Sequence, residues 1–112
     1  MIEIWHNSRC SKSRAGLKYL EEKGIDFKVK EYLKDNITID ELKSILEKLN
    51  MRPSELIRKK EAIYKELKLK DATEDELIQA MVENPKLIER PIIINKDKAV
   101  VARPLEKIEE IL

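Results

Sequence analysis

Apolar and polar positions alternate in three distinct rhythms along the chain. Ile2, Ile4 and Trp5 form a short apolar run that predicts a first strand. Ser11 to Lys23 predicts a helix, with Leu17 and Leu20 three apart on its inner face. Gly24 follows as a natural stop, because glycine takes positive φ without steric cost. Ile25, Phe27 and Val29 then alternate with Asp26, Lys28 and Lys30, the mark of a half-exposed strand near a sheet edge.

The middle third reads as helix. Thr38-Ile39-Asp40-Glu41 is a capping box, and Leu42, Ile45, Leu46 and Leu49 follow it as one apolar stripe. Pro53 suits the first turn of another helix, expected to carry Leu56 and Ile57. Thr73-Glu74-Asp75-Glu76 is a second capping box, with Leu77, Ile78, Met81 and Val82 behind it and Asn84-Pro85 closing the segment. The last third returns to strand. Pro91 to Ile94 and Ala99 to Val101 flank the turn residues Asn95 to Lys98, which predicts an antiparallel hairpin. Pro104 then opens a final helix with Leu105, Ile108 and Leu112 on one side. The order β-α-β, helical block, β-β-α fits a four-stranded mixed sheet of an α/β protein with a helical layer inserted. Strand order does not follow from these patterns.

Composition narrows the possibilities. With 112 residues the chain makes one domain with a real core. Basic and acidic residues number 23 and 22, so no clustered excess of positive charge points to a nucleic-acid partner. No apolar stretch approaches the roughly 20 residues of a membrane span. The N-terminal apolar run is too short for a signal peptide, and one cysteine cannot form an internal disulfide, so a reducing cytoplasm is the expected location.

That cysteine, Cys10, sits in His6-Asn7-Ser8-Arg9-Cys10-Ser11-Lys12-Ser13-Arg14. A lone intracellular cysteine is most often a small core residue. Here residues 6 to 14 contain no aliphatic side chain, which argues against burial in an apolar setting. The position at a strand-to-helix turn, with Arg9, Lys12 and Arg14 close in sequence, favours thiolate. His6, the only histidine, is either an idle strand-end residue or a partner of the thiolate. Ser13 completes a C-x-x-S, a redox motif whose second thiol has become a hydroxyl. Such a site can form a mixed disulfide but cannot resolve it alone. Arg58, Arg90 and Arg103 stand out by context, since the latter two directly precede prolines at the ends of apolar strands. Guanidinium groups bind tetrahedral oxyanions through paired hydrogen bonds, which suggests an oxyanion-reducing thiol. One cysteine and one histidine are too few for a metal site, and the two glycines make no phosphate loop.

Four segments together resemble the glutaredoxin-linked arsenate reductases of the thioredoxin-like superfamily. They are the His6 to Arg14 loop, Leu56-Ile57-Arg58-Lys59-Lys60 followed by Tyr64, Glu89-Arg90-Pro91-Ile92-Ile93, and Ala102-Arg103-Pro104. The resemblance runs nearly end to end. It implies a thioredoxin-like fold for the single domain 1–112, with a helical insertion at about 36–88. It implies Cys10 as nucleophile, Arg58, Arg90 and Arg103 as ligands of the arsenate and arsenite oxygens, and His6, Ser13 and Arg14 as supports of the thiolate. Pro91 would be the cis-proline facing the cysteine.

The expected activity is reduction of arsenate to arsenite. No cofactor is bound; glutathione or a similar small thiol would be co-substrate, and a glutaredoxin-like protein the partner that restores the cysteine. Two alternatives stay open. Spx-type regulators, which dock on a transcription partner, share the loop but typically carry a second cysteine where Ser13 stands. A thiol reductase acting on mixed disulfides would use the same cysteine.

Overall fold

The computed structural model describes residues 2–112, and the chain divides into two compact units. One contains the N-terminal residues through Asp35 together with Arg90–Leu112; the other is Asn36–Glu89.

The first unit is built on a four-stranded mixed sheet. Its strands are β1 (Ile2–Trp5), β2 (Phe27–Lys30), β3 (Ile92–Asn95) and β4 (Lys98–Val101), in the order β2-β1-β3-β4. Strand β1 pairs parallel with β2, Ile4 opposite Val29, and antiparallel with β3, Ile4 opposite Ile93. Strands β3 and β4 form the expected hairpin, Ile93 opposite Val100, with Lys96 in the left-handed region at its turn. A parallel β1–β2 pair needs a crossover. Helix α1 (Ser11–Glu22) supplies it. Ile2, Ile4, Leu20, Ile93, Ala102, Ile108 and Ile111 form the buried core of this unit. Strand β2 lies at the sheet edge, yet its alternation does not bury one face, since Val29 is exposed and Phe27 only half-buried.

The closing segment differs from its sequence reading. Leu105–Ile111 winds as a 3-10 helix, so Ile108 and Ile111 are three apart and both buried, while Leu112 is exposed. Three residues per turn, rather than 3.6, moves the inner face onto Ile111.

The second unit is helical: α2 (Ile39–Leu49), α3 (Pro53–Leu56), α4 (Ala62–Glu66) and α5 (Glu74–Glu83), with 3-10 turns at Leu69–Asp71 and Pro85–Leu87. Both capping boxes form. The Thr38 hydroxyl accepts from Glu41 N–H at 3.1 Å, and that of Thr73 from Glu76 N–H at 3.2 Å. Leu42, Ile45 and Leu46 of α2 and Leu77, Ile78 and Met81 of α5 are buried, as their spacing requires. Helix α3 is shorter than expected. Ile57 leaves it in extended conformation and bridges Ile88, where Arg58 N–H donates to Leu87 and Glu89 N–H to Leu56.

Candidate active site

Cys10 is the residue from which α1 begins. Its backbone is extended, φ −101° and ψ 124°, while its carbonyl already accepts from Arg14 N–H at 3.0 Å. The first-turn N–H groups of a helix have no partners inside it. Here the N–H groups of Ser13 and Lys12 favour the thiolate form of Cys10. The side chain is buried, contrary to the exposure its polar neighbours suggest. Burial by itself pushes the Cys10 thiol up. The Ser13 N–H, the Arg90 guanidinium and the Lys12 N–H outweigh it and hold the thiol below its ordinary value. The cation acting on the sulfur is therefore Arg90, eighty residues away in sequence, rather than Arg9, Lys12 or Arg14.

Arg90 precedes Pro91 at the entry to β3, and the peptide between them is cis, as is Arg103–Pro104. Its guanidinium lowers the Cys10 thiol pKa through hydrogen bonding and charge. Its Nε and Nη1 are buried and have no hydrogen-bond partner among the described residues. Buried polar atoms are almost always paired, so two orphan donors on one cation mark a place prepared for an acceptor. Arg103 follows β4 and donates from Nε to the Arg90 carbonyl at 3.0 Å, which fixes the backbone that carries Arg90.

His6 and Ser13 are in contact with each other. His6 Nδ1 lies 2.7 Å from Ser13 Oγ, which also accepts from Asn7 N–H at 2.9 Å; both side chains are buried. Burial pushes the imidazole below its ordinary value and Arg14 adds to this, while Glu31 and Ser13 oppose it without reversing it. The ring tautomer sets which of the two atoms donates in this contact. The pair thus joins the end of β1 to the first turn of α1 and holds the Ser13 N–H in place. Arg14 acts at the loop, donating from Nη1 to the Ser8 carbonyl at 2.9 Å.

Arg58 lies in the helical unit and is engaged there. Its Nη1 bonds Glu61, and its Nε lies 3.1 Å from Glu89 Oε1. Gly16 is a residue that sequence reasoning passed over. A Cβ at this position would stand 2.8 Å from Pro91 Cγ, so glycine here lets α1 lie close against the segment carrying Arg90. The available signal was a glycine in a helix interior, which costs about 1 kcal/mol relative to alanine and so calls for a packing reason. Among the described residues no group of three or more His, Cys, Asp or Glu could hold a metal ion, and no helix is long and apolar enough to cross a membrane.

A mixed thioredoxin-like sheet, with a thiolate-favouring cysteine opening the first helix and an arginine at the third strand, defines a thiol protein of the thioredoxin-like class. The model of the ArsC family matches residues 5–111. An arsenate reductase of Neisseria meningitidis is 46% identical over 99% of this chain and 97% of its own length. The uncharacterized Escherichia coli protein YfgD is also 46% identical, over 99% of this chain and 96% of its own. A solved arsenate reductase from Vibrio cholerae superposes with a TM-score of 0.95 at 43% identity, covering 99% of this chain and 97% of that one. The chain belongs to the ArsC family, in agreement with the resemblance read from its motifs.

Proposed function

We propose that the protein reduces arsenate to arsenite with Cys10 as its own one thiol in the cycle. The observation that carries this reading is the Arg90 guanidinium, which favours the thiolate and has two buried donors without a partner among the described residues. An arsenate oxyanion accepting from Nε and Nη1 would sit beside the nucleophile, and charge-assisted bonds of this kind are the strong ones. Arg103 fixes the Arg90 backbone and offers a second cation. The role of Arg58 rests on the family resemblance alone, since its Nε and Nη1 already serve Glu89 and Glu61.

The Cys10 thiolate attacks arsenic and a sulfur–arsenic bond forms, while one arsenate oxygen takes up protons and leaves as water. Reduction from arsenic(V) to arsenic(III) needs two electrons. A small thiol such as glutathione and a glutaredoxin thiol supply them and end as a mixed disulfide. Hydrolysis of the remaining sulfur–arsenic bond releases arsenite and returns Cys10. Ser13 cannot act as a resolving thiol, and its hydroxyl is occupied by His6 and Asn7. The external reductants follow from that.

Turnover with arsenate and with a glutathione mixed disulfide, measured side by side with glutathione and glutaredoxin present, tests the reading. Arsenate should be the better substrate, and Arg103→Ala should lower its kcat/KM roughly ten- to hundredfold. Faster turnover of the disulfide, or an Arg103→Ala variant as active on arsenate as wild type, would overturn it.

A further inference from the structure

Arg58 and Glu89 make a contact that oxyanion binding does not explain. Arg58 Nε lies 3.1 Å from Glu89 Oε1, and Glu61 holds the same guanidinium at Nη1. The Arg58 and Glu89 side chains are 22% and 30% exposed, against 75% and 68% for the surface pair Lys18–Glu22. A pair withdrawn from solvent to that degree is screened less than an exposed one. The backbone repeats the connection. Arg58 N–H donates to the Leu87 carbonyl at 2.6 Å, Glu89 N–H donates to the Leu56 carbonyl at 3.1 Å, and Ile57 bridges Ile88 between them. Glu89 is thus held at its amide and at its carboxylate.

The next residue in the chain is Arg90. Its carbonyl accepts from Arg103 Nε at 3.0 Å, and the Pro91 carbonyl accepts from Ala102 N–H at 3.0 Å, so the chain is also fixed on the far side of Arg90. A residue before proline has a restricted backbone, which leaves Arg90 little freedom to absorb a displacement at Glu89. We infer that Glu89 is a positioning residue for the reaction: pinned by Arg58, it holds the peptide that enters Arg90 and so keeps the Arg90 guanidinium at Cys10. Arg58 acts through Glu89 and needs no free donor for this task. The inference rests on the proposed function for the reaction it serves, but its test needs no arsenate.

The charge of Glu89 gives the test its sign. As a bare negative charge it would disfavour the thiolate, so removing it would lower the Cys10 thiol pKa. As the residue that places Arg90, its removal lets the guanidinium drift, and the thiol pKa rises. Thiolate absorbance, titrated without arsenate, should show a rise of about half a pH unit or more in Glu89→Ala and in Arg58→Ala. The double variant should rise no further than either single one, because the two residues act as one contact. Glu89→Gln keeps an acceptor for Nε without the charge, so its rise should be smaller. A fall or no change in Glu89→Ala overturns the assignment, and so do additive rises in the double variant. Should Glu89→Ala fail to fold, Glu89→Gln decides: a rise supports the assignment, and a fall or no change overturns it. Arsenate turnover is measured separately on the same proteins: its absence in wild type with the thiol pattern intact would defeat the proposed function and leave the Glu89 assignment standing.

Discussion

Replacing Gly16 by alanine is the smallest change that sets local preference against tertiary contact. In the interior of α1, alanine is favoured over glycine by about 1 kcal/mol. The added Cβ would stand 2.8 Å from Pro91 Cγ, 3.5 Å from Pro91 Cβ and 3.8 Å from Ile4 Cδ1. The closest of these is about 0.6 Å short of the 3.4 Å at which ordinary contact begins. The obstacle is a proline ring, which cannot swing aside as a flexible side chain would. Forcing a methyl into such a site costs about 1–3 kcal/mol, so Gly16→Ala should lose up to about 2 kcal/mol in urea unfolding once the propensity gain is subtracted. The displaced residue directly follows Arg90. A shift there moves the guanidinium from the sulfur, and misplacements on the order of 1 Å cost up to ~100-fold in rate; a drop of at least about tenfold in arsenate turnover is expected. Gly24→Ala is the control. Gly24 has φ 68° and nothing within 4 Å of an added Cβ, so it should lose about 1–2 kcal/mol of stability with turnover unchanged. A Gly16→Ala protein that is stabilised by about 1 kcal/mol and fully active would refute the close approach of α1 to Pro91 as the device that places Arg90.

Three further outcomes are expected. Arg90→Met should raise the Cys10 thiol pKa, seen by thiolate absorbance, and cut arsenate kcat/KM roughly ten- to hundredfold; an unchanged thiol pKa would contradict the role of its guanidinium at the sulfur. The Cys10 pKa is depressed in the folded state, so its stabilising contribution is complete above the ordinary thiol value and lost as pH falls through the lowered one. The stability difference between wild type and Cys10→Ser should therefore shrink on acidification across that window, and a difference independent of pH would contradict it. Thr38→Ala and Thr73→Ala should each cost about 1 kcal/mol without changing turnover, as measured by denaturant unfolding and activity on the same samples.

Much of this architecture was legible because local chemistry and tertiary structure agree. The capping boxes at Thr38 and Thr73 satisfy donors a few residues away, so spacing alone reveals them. Strand order was not legible, because the pairing of β1 between β2 and β3 joins residues distant in sequence and leaves no periodic trace. Ile57 matched a helical stripe but is held extended by its bridge to Ile88. The site divides in the same way. Cys10 at a helix start could be read from the turn residues around it, and the cations nearest in sequence were the natural suspects. The one that acts on the sulfur, Arg90, reaches it only through the cross-sheet pairing of β1 with β3. The carboxylates that engage Arg58 and the His6–Ser13 contact are equally invisible to spacing.

The central claim is that Cys10 attacks arsenate and external thiols complete the reduction. Arsenite formed per minute from arsenate, with glutathione and glutaredoxin present, measures it most directly in wild type and in Cys10→Ser. The account predicts steady arsenite production by wild type that stops when either reductant is withheld, and only the background rate in Cys10→Ser. Equal arsenite production by the two proteins would contradict it.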